Sequence, residues 1–194
     1  RRDEKGRTTI FKNLSKPPHG RWVSVGRLDI NTSGLILLTN NGELANRMMH
    51  PSSGVDKEYA VRVSGRLSDE ELETVREGVE VDGAQVKFSD IQFFGGTNRN
   101  NWYHVVLMDG KNREVRNIFE YVGFSVSRLK RVRFGPVVLP SSLKVGQHLL
   151  LSEEDTQALC SFFGIVYKSG ATPIKRKNEK SNKSLLIPYP GLDF

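Results

Sequence analysis

The sequence is poor in the features that mark secreted, membrane and metal-binding proteins. It has one cysteine, Cys160, so no internal disulfide can form, which is typical of proteins from the reducing cytoplasm. No apolar run approaches the roughly 20 residues of a membrane-spanning helix. The four histidines are scattered and lack the spacing of metal ligands. We therefore expect a cytoplasmic protein that uses neither a membrane nor a metal.

Common catalytic signatures are also missing. There is no serine–histidine pairing, no phosphate-binding glycine loop and no dinucleotide fingerprint. No second carboxylate accompanies Asp29 in its segment, as hydrolysis of a glycoside by two acids would require. What remains are single acids, arginines and aromatic residues.

The charge that is present is unevenly placed. The net charge is +7, from 29 basic and 22 acidic residues. Residues 69–80 carry six acids and one arginine, whereas residues 111–133 carry seven basic residues and two acids. The second distribution is typical of a surface for a polyanion such as RNA. A solvated face balanced elsewhere is the alternative.

Apolar periodicity and turn residues predict the secondary structure. Strands are predicted at Trp22–Val25, Leu35–Thr39, Lys57–Val63, Val86–Phe94, Trp102–Met108, Val126–Phe134 and His148–Leu151. Helices are predicted at Glu43–Met49, from the capping box of Ser68 and Glu71 to Gly78, around Val115–Val122, and from Ser152 to Phe163.

The predicted connections are often too short for regular βαβ crossovers. The sequence therefore predicts an α+β fold with a mixed, mostly antiparallel sheet and flanking helices. We expect one domain over residues 1–165 and a basic, flexible tail over residues 166–194. The tail ends in the apolar segment "LLIPYPGLDF", for which docking on the domain and docking on a neighbouring molecule are both open.

The segment "SVGRLDINTSGLILLTN" places a carboxylate, Asp29, just ahead of a buried apolar run. Aspartates of this kind often cap turns, here the turn Ile30–Asn31–Thr32, through their side chains. From the local residues alone, a turn cap and a functional acid are both open.

Four segments, in order, carry a resemblance to a known family. "GRLDINTSGLILLTNNGELANRMMHP" closely resembles the central motif of the pseudouridine synthases, in the branch that modifies ribosomal RNA. "KEYAVRV" and "DGKNREVRNIF" resemble the second and third motifs, and "VGFSVSRLKRVRFG" continues the match. The resemblance implies a pseudouridine synthase fold with a central active-site cleft.

The resemblance also implies roles for individual residues. Asp29 would be the catalytic aspartate, Tyr59 would stack on the target base and remove the C5 proton, and Arg116 would pair with Asp29 in a hollow for one pyrimidine. Substrate contacts are expected at Arg27, Leu28 and Ile118, with RNA contacts at Lys111, Arg113, Arg128 and Arg131. Each of these residues also has an ordinary structural explanation, as a packing residue or a solvated cation.

The implied reaction converts a uridine of structured 23S rRNA to pseudouridine after the base is flipped out. It needs no cofactor, and we expect a monomer. A 16S rRNA target, a non-catalytic RNA-binding module and a hydrolase with a single acid are the alternatives. The small RNA-binding domain that usually leads this branch is not found, and "KPPHG" lies too close to Asp29 to be the upstream family motif. We therefore expect a fragment that begins inside the catalytic domain.

Overall fold

The structure is a computed structural model, and it describes residues 6, 8–97, 99–108, 110, 113–167 and 184–192. The chain divides into two compact units. The first comprises residues 1–27, 36–50 and 140–194, and the second comprises residues 28–35 and 51–139. None of the described helices is long and apolar enough to cross a bilayer.

The second unit contains most of the regular structure. Its strands are β2 (Ser33–Gly34), β4 (Lys57–Val63), β5 (Val79–Val81), β6 (Ala84–Val86), β7 (Asp90–Thr97), β8 (Asn100–Leu107), β9 (Val126–Phe134) and β10 (Val137–Val138). Its α-helices are α2 (Asp69–Glu77) and α3 (Glu114–Tyr121). A 3₁₀ turn at Pro51–Ser53 leads into β4.

The first unit is assembled from smaller pieces. Strands β1 (Val23–Val25) and β3 (Leu37–Thr39) pair antiparallel. The two described α-helices of this unit are α1 (Gly42–Met49) and α4 (Glu153–Phe162), and a 3₁₀ turn lies at Ile10–Asn13.

The main sheet has the strand order β10–β9–β4–β8–β7, and these neighbours are all antiparallel. Strand β2 adds to the free edge of β9 in the parallel direction. The α+β class and the mixed, mostly antiparallel sheet are thus confirmed. The parallel strand is short, but it belongs to the segment that carries Asp29.

Alternation along β4, β8 and β9 gives the sheet two different faces. One face is buried beneath helices, in a core that includes Val61, Val105 and Leu129 from the strands and Ile118 and Phe119 from α3. Helix α3 forms because its apolar residues recur at helical spacing and cover this face. The side chains on the opposite face are half-buried or exposed.

Most predicted elements are observed within a few residues of their predicted limits. Strands β4 and β9 have the predicted limits, and the predicted capping box of Ser68 and Glu71 starts α2. The predicted strand at His148–Leu151 is wrong, because this segment is irregular and pairs with no strand in the described part of the chain.

One hairpin escaped the sequence prediction. Strands β5 and β6 are joined by Asp82 and Gly83, which both have positive φ angles, of 51° and 77°. Asp-Gly is the dipeptide preferred where both turn residues must be left-handed, so the signal was present in the sequence.

Candidate active site

The segment 28–35, which carries Asp29, is held against β9. In the parallel pairing, Ser33 lies opposite Lys130 and Gly34 opposite Arg131. The Leu35 backbone N–H donates to the carbonyl oxygen of Arg131 at 2.8 Å. Asp29 therefore sits four residues before a strand whose register is fixed.

Glycine is required at position 34. Its φ angle is +105°, and a Cβ atom would collide with the carbonyl oxygen of Arg131. Because a side chain would collide with the backbone of β9, only glycine permits the close approach.

Asp29 itself is exposed and begins a turn. Its backbone carbonyl oxygen accepts a hydrogen bond from the Thr32 N–H at 2.9 Å. The turn is therefore closed by the backbone of Asp29, and the residue as a whole is exposed. An exposed carboxylate can reach a bound ligand, either as a nucleophile or as a base.

Arg116 holds this turn from the side of α3. It is only 7% exposed, and its two Nη atoms donate to the carbonyl oxygens of Asn31 and Val126, both at 2.8 Å. Its Nε is buried and has no hydrogen-bond partner among the described residues. The predicted ion pair between Arg116 and Asp29 is not formed here, because the Nη groups are directed to backbone carbonyls.

Tyr59 and Arg131 form a buried pair on the covered face of the sheet. They lie opposite each other on β4 and β9, and they are 8% and 3% exposed. The Arg131 guanidinium donates a hydrogen bond to the Tyr59 hydroxyl. Its Nε also donates to the carbonyl oxygen of Leu35 at 2.8 Å. Arg131 thus connects the phenol of Tyr59 with the end of the Asp29 segment.

Opposing effects act on the pKa of the Tyr59 phenol. Burial is the largest and raises the pKa, the charge and hydrogen bond of Arg131 lower it, and the negative charges of Glu114 and Asp29 raise it again. The net direction is upward. Burial lowers the pKa of Arg131, and Tyr59 acts against that change. Asp29 is therefore close enough to Tyr59 for its charge to be felt.

The other predicted site residues are placed as follows. Ile118 is fully buried in the core, and Leu28 is half-buried in the Asp29 segment. Arg128 is exposed on β9, and Arg113 is exposed before α3 with an ion pair to Glu120 at 3.5 Å. Arg27 is exposed and belongs to the first unit, and Lys111 lies outside the described residues.

The predicted RNA contact at Arg131 does not fit the structure. A side chain that is 3% exposed, with its guanidinium bonded to Tyr59 and Leu35, is not available to an RNA phosphate. Its position within a strand studded with cations suggested a surface residue. The alternation of β9 instead turns it to the covered face.

Glu114 was overlooked in the sequence. It is buried at the start of α3, accepts a hydrogen bond from the Gly110 N–H at 2.9 Å, and acts on the pKa of Tyr59. It lies four residues before Ile118, so it shares the apolar stripe of α3. The signal in the sequence was a carboxylate at a position where the helical spacing of α3 predicts a buried side chain. In the described part of the chain, His, Cys, Asp and Glu side chains form no group of three suited to a metal ion.

Comparison with known proteins identifies the family. The chain belongs to the RNA pseudouridylate synthase family, which it matches over residues 2–121. A crystal structure of a pseudouridylate synthase is similar to it with a TM-score of 0.67 and 27% identity, covering 78% of this chain and 65% of that one. The pseudouridine synthase fold is thereby confirmed.

Curated relatives carry a more specific name. The ribosomal large subunit pseudouridine synthase B of Pseudomonas aeruginosa is 51% identical over 192 residues, covering 97% of this chain and 50% of that protein. The protein of the same name from Escherichia coli K12 is 51% identical over 146 residues, covering 75% of this chain and 50% of that protein. The chain spans about half the length of the curated relatives it matches.

Proposed function

We propose that this chain isomerises a uridine of 23S rRNA to pseudouridine, with Asp29 as the essential residue. The observation that carries the proposal is that Asp29 and the buried Tyr59–Arg131 pair lie in one compact unit, with the charge of Asp29 acting on the phenol of Tyr59. The names of the large-subunit relatives support 23S rather than 16S rRNA as the substrate.

The reaction breaks the bond between N1 of uracil and C1′ of the ribose and forms a bond from C5 to C1′. The C5 proton is lost and N1 is protonated, so atoms and electrons balance without a cofactor. The target base must first leave its stack, at a cost of a few kcal/mol. Asp29 attacks C1′ or removes the C2′ proton, and its exposure leaves it accessible to the ribose.

Tyr59 is assigned the removal of the C5 proton. To act as a base, Tyr59 must lose its phenol proton and become a phenolate. Burial opposes this step, because it raises the pKa of the phenol. The guanidinium of Arg131 acts in the required direction, because its charge and hydrogen bond favour the phenolate. Arg131 thus supports Tyr59, a role that was predicted for no residue from the sequence.

Arg116 and Arg131 are assigned a common task as positioning residues. They hold the Asp29 segment at two points, the carbonyl oxygens of Asn31 and Leu35. Charge-assisted hydrogen bonds from a guanidinium are among the stronger ones in proteins. These bonds would therefore hold the Asp29 segment in position before the RNA binds.

Arg27, Leu28, Lys111, Arg113 and Arg128 remain proposed substrate contacts, whereas Ile118 is fully buried and, like Arg131, is not available to contact the RNA. We also propose a monomer that acts in the cytoplasm.

A non-catalytic RNA-binding module is the second candidate. It is favoured by the exposure of Asp29 and by the absence, among the described residues, of an ion pair between Asp29 and Arg116. The two candidates differ in whether a new nucleoside is formed, so a product assay separates them.

The test is to incubate the chain with unmodified 23S and 16S rRNA transcripts and to map pseudouridine by carbodiimide labelling and primer extension. We expect one new site in 23S rRNA and none in 16S rRNA. Asp29→Asn should abolish the product and leave RNA affinity within a few-fold, because the side chain is exposed. Asp82→Asn, another exposed aspartate on a turn, is the matched control and should retain activity.

Two outcomes contradict this proposal. Product formation by Asp29→Asn would remove the aspartate from the reaction. RNA binding without product, from the unaltered chain as well as the variant, would leave the binding module as the correct description.

A further inference from the structure

Helices α2 and α3 of the second unit pack on the face of the main sheet that carries Tyr59, through core residues that include Val75 and Phe119, and the opposite face of this sheet is a different surface. We call it the open face and define it by the outward side chains of four strands: Gln92 and Phe94 on β7, Trp102, His104 and Val106 on β8, Glu58, Ala60 and Arg62 on β4, and Arg128 and Lys130 on β9. All of them are half-buried or exposed. The core residues of the same strands point to the other face.

Cations are concentrated at one end of the open face. Arg62 on β4 lies directly opposite Arg128 on β9, and Lys130 lies opposite the neighbouring Ala60. Like charges directly opposite each other destabilise a sheet. Among the described residues, neither Arg128 nor Lys130 has a carboxylate partner. An anionic ligand would relieve this repulsion.

The acids of the open face lie at its other end and are occupied. Glu58 accepts hydrogen bonds from His104 at 2.7 Å and Arg133 at 3.0 Å. Asp90, which borders the open face at the start of β7, accepts one from Gln92 at 2.9 Å. Neither carboxylate is therefore positioned to neutralise Arg62, Arg128 and Lys130.

Aromatic rings continue the cationic row across the sheet. Arg62 pairs with Trp102 on β8, so Arg128, Arg62 and Trp102 occupy three successive strands. Phe94 lies at a bulge in the next strand, is 75% exposed, and has its ring centroid 4.8 Å from that of His104. An exposed aromatic ring beside unneutralised cations is the combination that binds single-stranded nucleic acid, since bases stack on the rings and phosphates meet the cations.

We propose that the open face is a second RNA-binding surface, distinct from the site of Asp29 and Tyr59, and that it takes an unpaired stretch of RNA. Bases stack on Phe94 and Trp102, and Arg62, Arg128 and Lys130 hold phosphates. A duplex keeps its bases stacked on one another, so it would meet only the cations. The inference shares with the proposed function the assumption that RNA is the ligand and one residue, Arg128, which would extend the proposed substrate contacts onto the open face.

The first test measures binding of a fluorescein-labelled 12-nucleotide oligocytidine by fluorescence anisotropy at several salt concentrations. This probe contains no uridine, so the result does not depend on the isomerisation. Arg128→Gln/Lys130→Gln should weaken binding and flatten the plot of log K against log salt by about 1.4, at about 0.7 per phosphate contact. Lys87→Gln/Lys144→Gln removes the same charge from exposed sites elsewhere and should leave the slope unchanged.

The second test concerns stacking. Phe94→Ala should weaken binding of the oligocytidine about fivefold or more, and should not affect a 12-base-pair RNA duplex. Tyr121→Ala, which removes another exposed ring, is the control and should have no effect on either probe. Equal losses with the lysine control, or an unchanged affinity in Phe94→Ala, would overturn the proposal.

Cross-linking covers the case in which a variant folds poorly, because it uses the unaltered chain. An oligocytidine with one 5-iodocytidine should cross-link under ultraviolet light to peptides containing Phe94 or Trp102. Cross-links confined to other peptides would refute the open face as the binding surface. The rRNA product assay is read separately, so failure of the isomerase proposal would leave these results unaffected.

Discussion

At the scale of single residues, buried arginines organise the candidate site. Arg116 and Arg131 are almost fully buried, yet their described partners are backbone carbonyls and a phenol rather than Asp29. A guanidinium suits this role because it stays charged and presents several donors in a fixed plane. The carboxylate is left exposed for the substrate.

Replacing Arg131 with lysine tests this arrangement. The ammonium group cannot match the planar fork that reaches both Tyr59 and Leu35, so one acceptor loses its bond. We expect the free energy of unfolding in urea to fall by about 1–3 kcal/mol. The limb of the pH–rate profile that reports Tyr59 should also move to higher pH. Arg128→Lys, on the exposed side of the same strand, should change stability by less than about 0.5 kcal/mol.

Glu58 gives a prediction about pH. Burial alone would raise the pKa of its carboxyl, but hydrogen bonds from His104 and Arg133, with their charges, lower it below its ordinary value. A lowered pKa adds stability above the unfolded-state value, and this is lost as the pH falls through the folded-state value. The free energy of unfolding should therefore drop below about pH 4.5. The drop should be smaller in Glu58→Gln and unchanged in Glu80→Gln, which alters an exposed strand residue.

At the scale of elements, local chemistry predicted helices and strands well. The capping box of α2 and the extents of β4 and β9 depend on neighbouring residues, which the sequence displays directly. A strand also needs a partner strand, however. The alternation of residues at His148–Leu151 favoured a strand, but it could not reveal that this segment lacks a partner among the described residues. The brief parallel pairing of β2 was likewise invisible, because two residues carry no periodicity.

Gly34→Ala tests the importance of that short strand. The positive φ angle costs about 1–2 kcal/mol for a residue with a Cβ, and forcing the Cβ against β9 costs about 1–3 kcal/mol more. We expect a corresponding fall in the free energy of unfolding and a loss of product, because the Asp29 segment would be displaced. Gly146→Ala has a similar positive φ but open space around it, so it should show only the first cost. Equal effects in both variants would contradict the close approach.

At the scale of the whole molecule, distant parts of the chain complete the first unit. Residues 184–192 pack on α4, with Leu186 and Leu192 buried and the Tyr189 ring 5.6 Å from that of Phe162. Of the predicted flexible tail, residues 166–194, the stretches 168–183 and 193–194 lie outside the described residues. The apolar end therefore docks on its own chain, which the sequence had left as one of two possibilities.

Asp155 anchors this end and can be tested. It is buried, and its carboxylate accepts hydrogen bonds from the Ser184 hydroxyl at 2.6 Å and the Leu185 N–H at 3.0 Å. Asp155→Ala should lower the free energy of unfolding by about 1.5–3 kcal/mol and speed trimming of the C-terminus by carboxypeptidase. Glu154→Ala, exposed on the same helix, should do neither. Unchanged trimming would mean that Asp155 does not hold the segment.

The sequence by itself determined the family, the α+β class, most elements and the identity of Asp29 and Tyr59 as candidates, because motifs, caps and periodicity are properties of near neighbours. Only the tertiary structure decided which groups the arginines bind. The bonds from Arg116 to Asn31 and from Arg131 to Leu35 join residues 85 and 96 positions apart. A guanidinium binds whichever acceptors the folded backbone brings to it, and no local pattern records that choice.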